Sequence, residues 1–228
     1  KITWDEESCT GLINSDILYS GRVLNEEETY EISVSDALNN VIHFTIIIDR
    51  TAPSFTAYYV NDGKNVPLNN NGFTSKDVII VWNENDCTAY LDSEEYISGT
   101  NIIKEGKHTF YIVDQYGNSS QKFYFVIDKT NPAITASTST LDLEDNQTIN
   151  ESFRFVYKED NKFRAELYKN DELINPSYES GTKISEDGKY TLIVKDSALN
   201  TSSMSITINT KGEVISIYTT DSSGITKL

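Results

Sequence analysis

Three stretches of this chain share one hydrophobic pattern. Tyr30 to Pro53 reads YEISVSDALNNVIHFTIIIDRTAP, His108 to Pro132 reads HTFYIVDQYGNSSQKFYFVIDKTNP, and Tyr190 to Gly212 reads YTLIVKDSALNTSSMSITINTKG. In each, apolar residues at every second position lead to an Asp (Asp36, Asp114, Asp196), a polar turn follows, and a second apolar run descends to a linker. Side chains spaced by two share one face of a strand, so each stretch is predicted to be a β-hairpin ending in a short linker. The pattern returns after about 80 residues. That exceeds the roughly 20–50 residues of solenoid repeats and is long enough for each unit to bury a core of its own.

The remaining segments fall into register with this repeat. Ile2 and Trp4 align with Ile80 and Trp82, the latter preceded by Val78, and Phe153, Phe155 and Tyr157 hold the same place in the third repeat. By parity these residues face inward, as do Tyr30, Ile32 and Val34, then His108, Phe110 and Ile112, then Tyr190, Leu192 and Val194. Lys1–Trp4 is thereby predicted to be a strand. SFTAYYV and AITAST open the second and third repeats, each followed by a turn-rich polar segment (NDGKNVPLNNNG, LDLEDNQT). Residues 1–52 hold no such opening strand, whereas GEVISIYTT follows the third linker where AITAST follows the second. No segment carries a helical period beyond a turn or two, and Thr, Tyr, Val, Ile and Ser fill the periodic ones. The class expected is all-β, with units at 1–52, 53–131 and 132–211, and 212–228 as the opening strand of a further domain or a donor strand.

Glu186-Asp187-Gly188-Lys189-Tyr190-Thr191-Leu192 resembles the Asp-x-Gly-x-Tyr-x-Cys run on strand F of immunoglobulin domains, with Glu186 in place of the Asp and Leu192 in place of the cysteine. The resemblance implies that Tyr190 is a tyrosine-corner residue whose hydroxyl bonds back to nearby backbone. A strand ending in Asp-x-x-Gly-Asn, a following strand and an Ile-Asp-Lys-Thr-x-Pro linker resemble tandem bacterial immunoglobulin-like repeats of cell-surface proteins. That likeness covers essentially the whole chain. It implies tandem immunoglobulin-like β-sandwiches in an extended rod, the first without its opening strand. It also implies a non-catalytic extracellular stalk or adhesion module on a bacterial surface. The repeats depart from one another at Asn39-Asn40 and Leu199-Asn200, where the second has Gly117-Asn118, and at the third linker, Asn209-Thr210-Lys211-Gly212.

Composition narrows the partners. A formal charge of −16 argues against nucleic acid, whose phosphates need a basic face, and against anionic membrane surfaces. The apolar run Phe44–Ile48 is far too short to span a bilayer. Cys9 and Cys87 occupy equivalent positions in successive repeats, so no internal disulfide is expected and both read as half-buried free thiols. There are two histidines. His108 takes the place of Tyr30 and Tyr190 and reads as a structural substitute with a polar tip, and His43 as a surface or edge residue. No nucleophile elbow, phosphate loop or His cluster is present, and no enzymatic activity or cofactor is expected.

The turn aspartates Asp36, Asp114 and Asp196 each precede an Asn by four positions (Asn40, Asn118, Asn200). Asp starts such turns by accepting backbone N–H groups, and Asn or Gly tolerates the left-handed conformation they need. The alternative reading is calcium, for which these three residues and the linker aspartates Asp49 and Asp128 are weak candidates, since Ca²⁺ wants about six or more oxygens. Two further alternatives concern partners besides the neighbouring immunoglobulin-like domains. One is a glycan or host protein met by exposed aromatics (Tyr58, Tyr59, Tyr96, Tyr116, Tyr178). The other is head-to-tail self-association, in which Glu213–Thr220 adds a strand to the first repeat of the next molecule.

Overall fold

The computed structural model describes residues 1–161, 163–211, 218–221 and 224–227. Glu213–Ile217, the greater part of the expected final strand, lies outside them. Every regular element among the described residues is a β-strand.

The first hairpin region holds β1 (Thr10–Ile13), β2 (Asp16–Leu18), β3 (Glu28–Ser35) and β4 (Val41–Ile48). The middle of the chain holds β5 (Thr56–Asn61), β6 (Lys64–Pro67), β7 (Gly72–Thr74), β8 (Val78–Val81), β9 (Thr88–Leu91), β10 (Glu94–Tyr96), β11 (Asn101–Ile102), β12 (Gly106–Val113) and β13 (Phe123–Ile127). Then come β14 (Ala133–Ser137), β15 (Asp142–Leu143), β16 (Gln147–Ile149), β17 (Phe153–Lys158), β18 (Phe163–Lys169), β19 (Glu172–Asn175), β20 (Lys183–Ile184), β21 (Gly188–Asp196) and β22 (Thr201–Ile208). β23 (Tyr218–Asp221) and β24 (Gly224–Lys227) form a hairpin near the C-terminus.

The chain divides into two compact units. One comprises residues 1–58, 79–101 and 108–124, the other 59–78, 102–107 and 125–228. In the first, an antiparallel sheet runs in the order β2-β1-β3-β4, and a second run of strands places β9 between β10 and β12. Ile2, Ile13, Leu18, Tyr30 and Ile32 are buried together, with Trp4, Leu24, Val34, Ile46 and Ile48 packed against them. Lys1–Trp4 forms no strand, contrary to the alignment. Ile2 exchanges backbone hydrogen bonds with Arg22 (2.9 Å) and Gly21 (2.8 Å), but the segment lacks a partner strand along which a ladder could continue. Ile2 and Trp4 still point inward as parity requires.

In the second unit, two sheets face one another across a single core. Their orders are β15-β14-β17-β20 and β16-β22-β21-β18-β19. Phe153, Phe155, Tyr178, Tyr190, Leu192, Val194, Ile206 and Ile208 fill the space between them. Leaving Gly aside, β21 reads as strict alternation from Tyr190 to Asp196, the inward positions being 0–4% exposed. The polar segments before β8 and β17 are not plain loops. Each contains a three-residue strand, β7 or β16, running parallel to the final strand of its repeat, with Phe125 opposite Gly72 and Gln147 opposite Ile206. Three residues are too few to show a period, so neither strand is visible in the hydrophobic pattern.

The hairpin turns hold to the predicted chemistry. The residue before the turn Asn has positive φ in all three: Asn39 (61°), Gly117 (88°) and Leu199 (71°). Leucine has a Cβ that disfavours this conformation by about 1–2 kcal/mol, and glycine gives back about 0.5–1 kcal/mol of unfolded-chain entropy. Leu199→Gly should therefore stabilise the fold by about 0.5–1 kcal/mol in a urea titration. Leu199 is 67% exposed, so little packing is lost with it. A destabilised variant would show that the strain is relieved elsewhere.

Candidate functional site at the repeat junctions

Each hairpin Asp spends both carboxylate oxygens on its own turn. Asp36 Oδ1 accepts the N–H groups of Leu38 (2.8 Å) and Asn40 (2.9 Å), and Oδ2 accepts the Asn40 amide (2.7 Å). Asp114 does the same with Tyr116 and Asn118, and Asp196 with Asn200. The Asn40 side-chain amide, helped by its N–H and that of Leu38, holds the Asp36 carboxyl below the usual carboxylate value. Burial would raise Asp114, but the Asn118 amide and the surrounding N–H groups outweigh it and the net shift is downward.

Asp187 is also held low, by the Thr210 N–H first and the Thr210 hydroxyl second. A carboxyl whose folded pKa is depressed contributes stability above its unfolded value of about 4, and loses it as pH falls through the folded value. Asp36→Asn should thus make the fall in melting temperature between about pH 4 and pH 2 shallower than in the parent. An unchanged acid limb would remove Asp36 from the account.

The turn asparagines have a second task that sequence reading missed. The Asn118 amide also donates to the Asp49 carbonyl (3.2 Å), and the Asn200 amide to the Asp128 carbonyl (2.8 Å). A turn in one repeat thereby caps the linker that ends the repeat before it. The linkers are tied at the other side as well. Thr51 bonds to Glu27, Thr130 to Glu105 (3.3 Å) and Thr210 to Asp187 (2.8 Å), the acid in each case standing three residues before Tyr30, His108 or Tyr190. Asp49, Asp128 and Asn209 each accept the N–H two residues on, so the Asn of the third linker does the work of the Asp it replaces.

At the second junction, ligand atoms of Asp128, Glu159 and Asp196 come within 4.8 Å of one another. Asp128 is 8% and Asp196 4% exposed. Asp128 also accepts from the Asn161 amide and the Thr130 N–H, and Glu159 from the Asn161 N–H (2.8 Å). Asp128 and Glu159 border a groove of about 460 Å³ that Glu105, Lys107, Thr130 and Asn131 also line. Hard carboxylate oxygens in this number could contribute half of a calcium shell. Asp128 and Asp196 were candidates from sequence, whereas Glu159 was not. Its signal was present, since Trp4, Trp82 and Tyr157 are each followed by a Glu at the second position (Glu6, Glu84, Glu159). Asp36, Asp49 and Asp114 belong to no acidic cluster of three among the described residues.

Other expected residues divide. His108 is buried, and its Nδ1 lies 2.7 Å from the Asp92 carboxylate, which is the polar-tip substitution foreseen for it. His43 is exposed on β4. Tyr30 and Tyr190 bond their hydroxyls to the carbonyls of Glu26 (3.0 Å) and Glu186 (3.1 Å), as a tyrosine corner requires. Cys9 and Cys87 are free and half-buried. Burial pushes both thiols up, aided by Glu6 and Glu84 respectively.

Among the proposed aromatic contacts, Tyr116 is 43% exposed and Tyr58 and Tyr59 are half-buried, but Tyr96 (7%) and Tyr178 (2%) are core residues. Their hydroxyls turn inward to the backbone of Ile80 and Thr100, and of Phe155 and Thr182. The missed signal is Tyr-x-Ser-Gly-Thr, written at both Tyr96 and Tyr178. In each copy the Ser hydroxyl accepts the N–H of Trp82 or Tyr157, and the Gly N–H reaches Ile80 or Phe155.

Facing sandwich layers and a parallel short strand beside the last one, with every regular element among the described residues a β-strand, define an all-β protein of tandem β-sandwich units. No protein-family model and no curated protein matches the chain. Among solved structures, it is similar to the fibronectin(III)-like modules of Clostridium thermocellum CbhA, at 9% identity and a TM-score of 0.33, over 62% of this chain and 90% of that one. It is also similar to Drosophila OTK extracellular domains 3-5, at 11% identity and a TM-score of 0.28, over 88% and 84%. A third is the Bacteroides ovatus protein SGBP-B in complex with a mixed-linkage heptasaccharide, at 14% identity and a TM-score of 0.23, over 95% of this chain and 65% of that one.

Proposed function

We propose that this chain is a non-catalytic extracellular module, a spacer or adhesion segment of a bacterial surface protein, built from three immunoglobulin-like domains at 1–52, 53–131 and 132–211. The observation that carries the reading is the recurrence of the same locks at successive linkers. An Asn amide caps the linker carbonyl from one side, and an acid holds the linker Thr from the other. Such devices fix how one domain hands the chain to the next, which a spacer needs and a lone binding domain does not. The proposal includes no catalytic role. The His108 ring is committed to Asp92, and the turn carboxylates to their own backbone.

Screening the chain on a glycan array and on host-cell surfaces tests the reading. Silence on both supports a spacer, and saturable binding would replace it with the glycan- or host-protein-binding alternative. Calcium plays no part in the proposal, because Asn161, Asn200 and backbone N–H groups already serve the Asp128–Glu159–Asp196 oxygens. One millimolar Ca²⁺ added to chelator-treated protein should shift the melting temperature by no more than about 2 °C, since even a millimolar Kd yields only about 0.4 kcal/mol. A rise of several degrees that Glu159→Gln abolishes would establish a metal centre instead.

A further inference from the structure

What recurs in all three repeats serves the fold they share, and a task beyond the fold falls to side chains that one repeat alone carries. The third repeat departs from the others at four neighbouring positions. Arg164 opposes Lys195, whereas the equivalent pairs are Thr10 with Ser35 and Thr88 with Val113. Phe163, opposite Asp196, takes the place that Cys9 and Cys87 hold before those threonines. Leu199 replaces Asn39 and Gly117 in the hairpin turn.

Two of these departures work against the fold. Like charges directly across two strands repel, and they are paired here in a chain with 19 basic residues against 35 acidic ones. Leu199 holds a left-handed φ of 71° that its counterparts meet with Asn or Gly. Strain retained in this way clusters at ligand sites, where stability is given up for contact. Phe163 and Leu199 are also 40% and 67% exposed.

The four positions meet in one place. β18 begins opposite the residue at which β21 ends, and the turn after β21 carries Leu199 beside them. Phe163, Arg164, Lys195, Asp196, Ser197 and Leu199 line a notch of about 310 Å³. Both cations lie on the outer face of the sheet, since Ala165 and Val194 next to them face the core. Phe163 is braced edge-on by Tyr157 (5.2 Å). The Arg164 guanidinium is oriented by Glu166, whose Oε1 lies 3.2 Å from Nε and whose Oε2 accepts the Tyr168 hydroxyl (3.1 Å). Both terminal nitrogens of Arg164 and the Lys195 ammonium have no partner among the described residues. Asp196, the acid of the notch, is committed to the Asn200 N–H (2.9 Å) and amide (2.8 Å).

We propose that this notch docks an extended acidic peptide segment of a partner protein, its carboxylate on Arg164 and Lys195 and an adjacent apolar side chain between Phe163 and Leu199. The terminal nitrogens of a guanidinium match a carboxylate in one plane, and a lysine beside it adds a point charge. Leu199 favours a peptide over an acidic glycan, because a branched aliphatic packs on another apolar side chain and offers a sugar's hydroxyls no hydrogen bond. The formal charge of −16 repels an acidic ligand at long range, but exposed charges more than about 8 Å apart are largely screened at physiological salt, and the cations are what a docked carboxylate touches. The inference goes beyond the spacer reading and does not rest on it.

Titration of the isotope-labelled full chain with a capped hexapeptide of alternating Leu and Glu tests it. Amide shifts are expected in β18, β21 and the turn that follows, with binding that weakens as salt is raised. The same peptide with Gln for Glu should leave those amides unmoved at about 2 mM. Arg164→Gln and Lys195→Gln should each weaken binding about tenfold, the loss of a charge-assisted hydrogen bond. Leu199→Gly should weaken it about threefold while raising the urea midpoint, opposite signs that a merely structural role does not produce. Urea midpoints show whether each variant folds, and the Gln peptide tests the charge on the unaltered protein if one does not. Absence of shifts with the Glu peptide at about 2 mM, or Arg164→Gln binding as well as the parent, overturns the proposal. A hyaluronan hexasaccharide that moves the same amides at lower concentration overturns it in favour of an acidic glycan.

Discussion

Phe155→Ala should lower the unfolding free energy by about 3–5 kcal/mol, the range for truncating a buried aromatic that leaves a cavity its neighbours cannot close. Phe155 is 0% exposed and lies edge-on to Phe153 (4.9 Å) and Tyr178 (6.4 Å), with the opposite sheet across the core. Neither ring is free to collapse inward, since the Tyr178 hydroxyl is held by backbone and Phe153 is packed against Tyr190. Urea denaturation followed by tyrosine fluorescence reads the change as a lower midpoint at similar slope. A loss below about 1 kcal/mol would mean that the site is far more plastic than its burial implies.

Tyr178→Phe should have the second largest effect, about 1–3 kcal/mol, although it deletes a single oxygen. That oxygen accepts the Phe155 N–H (3.3 Å) and donates toward the carbonyls of Thr182 (2.9 Å) and Phe155 (3.2 Å). Removing it leaves a buried backbone donor without its side-chain partner, which costs more than the hydrogen bond returned. Tyr190→Phe is the control. Its hydroxyl meets one carbonyl, that of Glu186, on an exposed residue that water can reach, so about 0.5–1.5 kcal/mol is expected. Equal losses in the two variants would show that burial of the partner does not set the cost.

Both comparisons rest on a distinction that parity could not make. Period-two alternation finds a strand's inner face because successive Cβ atoms point to opposite sides. Ile80, Phe110, Phe155 and Leu192, all 0% exposed, were legible in this way. Tyr96 ends the three-residue β10 and Tyr178 lies beyond β19, both outside any long alternation, and from sequence they resemble surface tyrosines. Their burial follows from what the fold brings beside them, namely the backbone N–H groups of Ile80 and Phe155, which each find an acceptor in a hydroxyl at the end of a long apolar ring.

The candidate site divides along the same line. A turn of the Asp-x-x-x-Asn kind is local, and its hydrogen bonds span four residues, so Asp36, Asp114 and Asp196 could be assigned from composition and spacing alone. The bond from Asn200 to Asp128 joins residues far apart in the chain, and no local rule could anticipate it. Glu159 enters the same cluster by the course of β17, and Asn161 by the loop that follows.

By itself, the sequence determined that this chain is all-β, that it repeats, which residues face inward along the long strands, and how each hairpin turns, because all of these depend on residues within a few positions of one another. The tertiary structure alone decided which strand ends at an edge, which tyrosines are buried and which acids meet, because each depends on pairing between distant segments. β4 shows the division most sharply. Its apolar alternation is as regular as that of β22, yet Phe44 is exposed and Met204 is not, since a strand's own pattern fixes the face it offers and only a partner can cover it.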